Sequence, residues 1–334
     1  MFSTILHNMR FSLGIGIIGI FLICFIPAPH TYAQTIPIQQ GTVSLNMRPA
    51  YPEPNTEVTL SLDDYSVKTL GADIVWYVNG IEKVNNRNER SLTLTTGSLG
   101  EKITVAVKLV RNNILAFSAE RIIIPSVVDI ILESNTYIPN FYKGRALPSS
   151  ESIVHAIAIF HDGTNASWSN NSYKWTLDET VLSGGPLKGK YAMDVIVPRL
   201  QSGQLTVEVY NSRGGVVGKK SILIGSVQPQ LHIYEYSPLH GLSERAVQSP
   251  HALTSPQTTL YAEPFFLNTQ ILDTLNTNFV WKLNNVNVPI NESVPNAIEL
   301  TKNGSTGEAS VSVAITTLKK IPQYVADTIH VVFQ

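Results

Sequence analysis

The chain has 334 residues, of which 43% are hydrophobic and 15% charged, and its 24 basic and 25 acidic residues give a formal net charge of −1. This composition is typical of a folded chain rather than a disordered one, and with no basic stripe it argues against nucleic acid as a partner. Cys24 is the only cysteine, so the chain cannot be held together by internal disulfides.

The first predicted element is a secretory signal peptide over residues 1–33. Arg10 precedes an uncharged apolar stretch from Phe11 to Ile26, and Thr31-Tyr32-Ala33 offers a cleavage site before Gln34. The alternative is an uncleaved membrane anchor, which we disfavour because the stretch is shorter than the roughly 20 residues of a spanning helix. The sequence therefore predicts an exported protein that is extracellular, bound to the cell surface or periplasmic.

The rest of the chain is predicted to be strand after strand. Apolar and polar residues alternate in Val58 to Leu62, Ile103 to Val107, Leu205 to Val209 and Ala309 to Val313. This is the period of a strand with one buried face. After the signal peptide no segment has a helical stripe, so the fold class is predicted to be all-β.

A tryptophan followed by a turn sequence recurs about every 100 residues, at Trp76, Trp175 and Trp281. Asn79-Gly80 follows the first of them and is typical of a two-residue hairpin turn. A glycine comes about 25 residues after each tryptophan and begins an alternating run; these glycines are Gly100, Gly203 and Gly307. The repeat predicts three copies of one domain.

This pattern of about 100 residues per copy, short strands and one tryptophan on an early strand resembles immunoglobulin-like β-sandwiches. The resemblance implies that Trp76, Trp175 and Trp281 lie in the cores as structural residues. The predicted domains are residues 34–125, 126–225 and 226–334. Ile124-Pro125-Ser126-Val127 and its counterpart at residues 224–227 contain no Gly/Ser-rich linker, which favours a stiff array.

A second resemblance is carried by Tyr137 to Pro148, by Ser237 to Leu242 and by Ala262 to Phe266. These segments look like stretches of uncharacterised exported proteins of candidate-phylum bacteria. That resemblance implies a prokaryotic exported setting and carries no function.

The sequence contains no recognised catalytic motif, whether a nucleophile elbow, a zinc helix or a phosphate-binding loop. We therefore predict that the protein is not an enzyme and binds no cofactor or metal. Asp162-Gly163-Thr164-Asn165 resembles part of a calcium loop, but no acidic residue at a fixed distance completes it, and we interpret it as a polar turn.

Two places are candidates for partner binding. Trp168 lies in a polar segment, where it would either anchor a protein or glycan partner or pack on its own domain. Tyr137, Phe141, Tyr142, Lys143 and Arg145 form an aromatic and basic cluster. We favour this cluster as the first strand of the second domain, and the alternative is a binding groove between domains.

The resulting functional hypothesis is a non-enzymatic structural or adhesive protein, with a protein or glycan partner at the cell surface. The alternative is a subunit of a larger surface assembly, such as a pilus or secretion machine, that pairs sandwich edges with partner strands. One further expectation concerns Leu239 to Gln257, which has no clear period and is predicted to be a long loop.

Overall fold

The computed structural model describes residues 43–64, 69–164, 168–199, 201–269, 277–302, 306–317 and 323–333. The predicted signal peptide at residues 1–33 and the first residues of the first predicted domain lie outside these ranges. The described chain consists of β-strands, loops and two short 3-10 turns, at Val84–Asn86 and Trp168–Asn170. The prediction of an all-β chain with three tandem immunoglobulin-like sandwiches is confirmed.

The first sandwich packs a three-stranded sheet, β1-β2-β5, against a four-stranded one, β4-β3-β6-β7. Its strands are β1 Val43–Arg48, β2 Glu57–Asp64, β3 Asp73–Val78, β4 Ile81–Glu82, β5 Ser91–Thr95, β6 Ile103–Arg111 and β7 Ile114–Ile123. On β2 the residues alternate between buried and partly exposed, as the sequence predicts.

The second sandwich repeats this order, with sheets β13-β9-β8 and β11-β10-β14-β15 and with β12 added beside β10. Its strands are β8 Val127–Ser134, β9 Ile153–His161, β10 Ser172–Leu177, β11 Thr180–Val181, β12 Leu187–Lys188, β13 Ala192–Ile196, β14 Gly203–Tyr210 and β15 Val216–Ile224. Only three residues separate the end of β7 from the start of β8, and β16 begins soon after β15, so the linkers are short. The domain boundaries at 125/126 and 225/226 stay predictions.

The third sandwich has two additional strands, giving sheets β17-β16-β19-β22 and β18-β24-β23-β20-β21. Its strands are β16 Gln230–Ser237, β17 Gly241–Ala246, β18 His251–Leu253, β19 Gln257–Phe265, β20 Thr277–Leu283, β21 Val286–Val288, β22 Ala297–Thr301, β23 Gly307–Thr317 and β24 Tyr324–Phe333. The long loop predicted from Leu239 to Gln257 is wrong, because β17 and β18 lie within it. Both strands are short and pair at the edge of a sheet, and their sequences lack the alternation of apolar and polar residues that would have predicted a strand.

Each sandwich core is centred on its repeated tryptophan. Trp76, Trp175 and Trp281 are all 0% exposed. Each indole Nε1 donates a hydrogen bond to a backbone carbonyl 13 to 15 residues further along, at 2.9, 2.9 and 3.1 Å, with Glu89, Lys190 and Pro295 as the acceptors. The polar edge of the buried ring is thus satisfied in the same way three times.

The hairpin that follows each tryptophan strand is also repeated. Asn79, Asp178 and Asn284 all have positive φ, between 45° and 51°. In each copy the side-chain Oδ1 of this residue accepts a hydrogen bond of 2.7 to 2.8 Å from a backbone N–H near the start of the strand 25 or 26 residues later. Short polar side chains tolerate this left-handed conformation, which explains why asparagine and aspartate occupy the position.

The first and second sandwiches meet through two glycines. Gly100, in the loop before β6, and Gly163, in the loop after β9, both have positive φ, and a Cβ on Gly163 would lie 2.7 Å from the Leu99 carbonyl oxygen. The Gly100 N–H donates to the Pro125 carbonyl at 3.0 Å. Ser126 Oγ donates to the Val217 carbonyl at 2.8 Å. The junction therefore depends on the backbones coming close to each other.

We expect Gly163→Ala to weaken this junction by about 1–3 kcal/mol, because alanine is strained at positive φ and its Cβ would collide with the first sandwich. The measurement is hydrogen exchange at the Gly100 amide. Gly214→Ala is the matched control, because Gly214 has φ +79°, the same as Gly163, with no atom within 4 Å of its Cβ position. Equal effects of the two variants would contradict the contact.

Candidate functional site

The outer face of the third sandwich is aromatic where a solvated sheet face would be polar. On β16, Leu231 and Ile233 point into the core, so His232 and Tyr234 lie on the opposite face. The register pairs Gln230 with Phe265 on β19, and His232 with Glu263. Because Tyr234 is 4% and Phe265 6% exposed, this outer face is also buried.

The cover over this face is the connection between β8 and β9 of the second sandwich. The interpretation of Tyr137, Phe141, Tyr142, Lys143 and Arg145 as a first strand is wrong, because β8 at Val127–Ser134 is that strand. Residues 137–148 contain no strand and lie against the third sandwich. Pro139 and Pro148 cannot donate to a ladder, which fits an irregular segment.

Backbone hydrogen bonds hold this connection to the third sandwich. The Tyr137 N–H donates to the Leu267 carbonyl and the Phe266 N–H donates to the Tyr137 carbonyl, both at 2.7 Å. Thr136 and Asn268 form an antiparallel bridge beside them. The second junction is therefore a short piece of β-ladder between two sandwiches.

Buried polar side chains reinforce the ladder. Asn268, 4% exposed, donates through Nδ2 to the Glu151 carbonyl at 3.0 Å, and its backbone N–H donates to Gln323 Oε1 at 3.1 Å. Gln323 Nε2 donates to the Ser150 carbonyl at 3.3 Å. The bonds to the Glu151 and Ser150 carbonyls join positions 117 and 173 residues apart, and they fix the second sandwich to the third.

Aromatic rings pack edge to face at the same junction. The Phe141 ring lies 5.0 Å from that of Tyr234, measured between centroids, and the Tyr142 ring lies 5.4 Å from that of Phe265 and 6.0 Å from that of Phe266. Such pairs stabilise by about 0.5–1.5 kcal/mol beyond the area they bury. The cluster therefore contributes much of the cohesion between the two sandwiches.

A groove of about 440 Å³ opens beside these rings. Its aromatic residues come from both sandwiches, and its lining also contains side chains that can form hydrogen bonds. The lining consists of Phe141, Tyr142, Lys143, Gln230, His232, Tyr234, Glu244, Phe265 and Phe266. The one lysine and the one glutamate of the lining balance in charge, so the groove is suited to a ligand that is neutral overall.

At the same junction, Tyr137 and Glu263 form a polar pair. Tyr137 Oη donates to Glu263 Oε2 at 3.2 Å, and Glu263 is 9% exposed. Burial raises the pKa of Tyr137 to about 12, with the charge of Glu263 adding to it. Burial likewise raises the pKa of Glu263 above its ordinary value of 4.5, while the hydrogen bond from Tyr137 lowers it in part.

This raised pKa predicts that the second junction weakens as the pH rises. Above pH 4.5 and up to the raised pKa of Glu263, the folded state keeps a proton that the unfolded state has released. Stability is therefore fully present below the unfolded pKa and falls as pH increases through that window. Hydrogen exchange at the Tyr137 and Phe266 amides between about pH 4 and pH 7 measures it.

Glu263→Gln is expected to remove this part of the pH dependence and to protect the two amides more strongly at neutral pH, because glutamine still accepts from Tyr137 without a charge. Glu299→Gln, at an exposed residue on β22 of the same sheet, is the control. If Glu263→Gln left the slope unchanged, the pH dependence would come from another group.

The other predicted partner-binding residues lie elsewhere. Trp168 is half-buried, and its ring packs edge to face on Tyr191 of the same sandwich at 5.8 Å. Arg145 is exposed and lines a separate depression beside the end of β8. Of the predicted cluster only Phe141, Tyr142 and Lys143 line the groove, while the Tyr137 hydroxyl is bonded to Glu263.

The calcium-like segment forms a local turn. Asp162 Oδ1 accepts from the N–H and Oγ1 of Thr164, at 3.0 and 2.6 Å, while Asn165 lies outside the described residues. Across the described ranges, no group of three or more His, Cys, Asp or Glu side chains could hold a metal ion. Those ranges also contain no helix of the length and apolarity that crossing a membrane requires.

The comparisons with known proteins give fold-level similarities. No family model and no curated protein matches the chain. Among solved structures, the central fibronectin-III array of RIM-binding protein is 12% identical, covering 88% of this chain and 97% of that one with a TM-score of 0.27. The fibronectin(III)-like modules of Clostridium thermocellum CbhA are 11% identical over 56% of this chain and 95% of theirs, with a TM-score of 0.26.

The three N-terminal domains of the bacteriophage RB49 Hoc protein are 11% identical, covering 88% of this chain and 99% of that one with a TM-score of 0.24. Similarities at this level do not indicate a function, so the function must be inferred from the groove.

Proposed function

We propose that this chain is a non-enzymatic structural or adhesive protein of the cell exterior that binds a saccharide in the groove between its second and third sandwiches. The observation that carries the proposal is the aromatic groove, built by two sandwiches that ladder bonds and buried amides hold together. A site that two domains hold in a fixed position loses less conformational entropy when a ligand binds than a site that a flexible hinge must close.

The chemistry of the groove favours a neutral sugar. Half-buried Phe141 and Tyr142 offer ring surface for the apolar face of a sugar, while Gln230, His232 and Glu244 provide hydrogen-bond donors and acceptors around it. The floor is the face of a sheet rather than its edge, so an extended peptide cannot form ladder bonds there. This is why a glycan is favoured over a protein strand at this site.

The test is a glycan array probed with the chain from Gln34 onward. We expect retention of a subset of neutral glycans that falls at least tenfold in His232→Ala and in Gln230→Ala. His330→Ala, an exposed residue on β24 of the same sandwich, is the matched control and should bind as the parent does. Absence of any retained glycan, or retention unchanged by the groove variants, would contradict the proposal.

Export is part of the proposal and rests on the signal-like N-terminal sequence. Protease shaving of intact native cells, with N-terminal sequencing of the recovered chain, should give a surface-exposed product that begins at Gln34. A product that still carries Arg10 would instead indicate an anchored protein.

A further inference from the structure

The sheet that contains the first strand of each sandwich has a different outer face in each of the three copies. In the first sandwich the residues that alternate with the core residues of β1, β2 and β5 are all polar, namely Ser44, Asn46, Arg48, Glu57, Thr59, Ser61, Asp63, Ser91, Thr93 and Thr95. In the third sandwich this face is aromatic and the β8–β9 connection covers it. The second sandwich has a third kind of face, which is apolar and borders on water.

The apolar face of the second sandwich follows from the alternation of side chains along its strands. Every second residue of β9 is buried in the core, which takes Val154, Ala156, Ala158 and Phe160. The residues between them point outward, and three of these are isoleucines. With one isoleucine from each neighbouring strand they form the isoleucine face, which consists of Ile131, Ile153, Ile157, Ile159 and Ile196.

The isoleucine face is continuous across the three strands and accessible. Ile157 lies opposite Ile131 on β8, and Ile153 lies opposite Ile196 on β13. Ile131 is 44% exposed and Ile196 is 65% exposed. The hydrophobic clusters formed by the described residues contain none of the five isoleucines. Contiguous apolar surface of this kind is typical of an interaction site.

Carboxylates lie on the two strands that border the isoleucine face. Glu133 on β8 and Asp194 on β13 both lie opposite His155 of the central strand β9, and Asp129 lies four residues before Glu133. Asp194 Oδ1 lies 2.7 Å from His155 Nδ1, and Asp129 Oδ1 lies 3.8 Å from Lys220 Nζ. The side chains of Asp129 and Asp194 are nevertheless 64% and 68% exposed. The face is therefore an apolar stripe with negative charge on both sides.

The dimensions of the face fit one helix. Three strands that lie about 4.8 Å apart give a width of roughly 10–15 Å, and the stretch from Ile153 to Ile159 is roughly 20 Å long. The width matches the diameter of an α-helix with its side chains, about 10–12 Å. The area, roughly 300 Å², is well below the ~800 Å² that each partner buries in a standard interface between two globular proteins. An extended peptide cannot form ladder bonds on the face of a sheet, whereas a helix binds through an apolar stripe.

The charge at the borders determines the charge of the helix that fits. Lysine or arginine on both sides of its apolar stripe would meet Asp194 at one border and Asp129 with Glu133 at the other. A surface of anionic lipids would be repelled. A second copy of this chain, stacked face to face, would bring carboxylates towards carboxylates.

We propose that the isoleucine face binds an amphipathic α-helix of another protein, with the apolar stripe of the helix on the isoleucines and its basic residues beside Asp129, Glu133 and Asp194. The isoleucine face shares no residue with the lining of the saccharide groove. The two proposals can therefore be tested independently.

The probe is a synthetic peptide of about 16 residues in which leucine recurs at helical spacing and lysine fills the remaining positions; as a helix it is about 24 Å long. Fluorescence anisotropy gives its dissociation constant for the chain from Gln34 onward. We expect Ile131→Thr combined with Ile157→Thr to weaken binding at least tenfold, since threonine keeps the branched shape that suits a strand. Leu223→Thr is the matched control, because Leu223 is 72% exposed on the other sheet of the same sandwich, and it should bind as the parent does.

Ile196→Thr alone changes a residue that is mostly exposed, so it should leave the fold intact, as circular dichroism can verify, and weaken binding at least threefold. Glu133→Lys should weaken it at least fivefold, whereas Glu120→Lys, at an exposed residue on β7 of the first sandwich, should not. A peptide with glutamate in place of lysine should not bind.

Absence of binding by the leucine–lysine peptide, or an equal loss in Leu223→Thr and in the isoleucine variants, would overturn the proposal. Sedimentation velocity distinguishes the remaining occupant. A dimer of the parent chain that Ile131→Thr with Ile157→Thr dissociates would also overturn the proposal, because the face would then meet a second copy.

Discussion

Trp175→Ala is expected to lower the free energy of unfolding of the second sandwich by about 3–5 kcal/mol. Trp175 is 0% exposed, and its removal leaves a cavity in the core and the Lys190 carbonyl without its indole donor. Because domains are stable by only about 5–15 kcal/mol, the variant should be near its unfolding threshold. Denaturant unfolding followed by circular dichroism, with hydrogen exchange to assign the loss to β10 and β14, is the measurement.

Trp168→Ala is the matched control, since it removes the same side chain from a half-buried position on the same sandwich. We expect it to cost less than about 1 kcal/mol. A loss from Trp175→Ala no larger than that from Trp168→Ala would mean that the repeated tryptophan is not the centre of the core.

The second large effect is expected at the second junction, where Phe141→Ala combined with Tyr142→Ala should cost about 2–4 kcal/mol of coupling between the second and third sandwiches. Both rings are half-buried, and their removal exposes Tyr234 and Phe265. Hydrogen exchange at the Tyr137 and Phe266 amides should accelerate strongly, while the core amides of both sandwiches stay protected.

Tyr77→Ala, a partly exposed aromatic residue on β3 of the first sandwich, is the control and should leave those two amides unchanged. If the double variant also left them unchanged, the backbone ladder and the Asn268 bonds would hold the junction without the rings. The proposed saccharide binding should fall in the double variant, since it removes part of the groove wall.

The repeated elements could be predicted from the sequence because local chemistry determines them. The period-two alternation of β6 and β14, the repeated tryptophan and the Asn79-Gly80 turn each require only a few neighbouring residues. Asp178-Glu179 forms the same two-residue turn although glutamate seldom has positive φ, here 71°. In that case the surrounding sheet overrides the preference of the residue.

The groove could not be predicted in the same way, because it depends on which sandwich face the β8–β9 connection covers. Pairing across more than 100 residues, as between Tyr137 and Leu267, leaves no local period. One signal was present: β16 carries aromatic residues at alternate positions on the face opposite Leu231 and Ile233. A strand that is apolar on both faces needs a cover on each.

The covering of the third sandwich by the second has a consequence for the order in which the chain matures. Synthesis proceeds from the N-terminus, so β8 to β15 can close around Trp175 before β16 and β19 emerge. Until then Phe141 and Tyr142 face water, as an apolar surface that only the next domain can bury. The second junction therefore forms last, and a stalled or truncated chain would present that surface to chaperones and proteases.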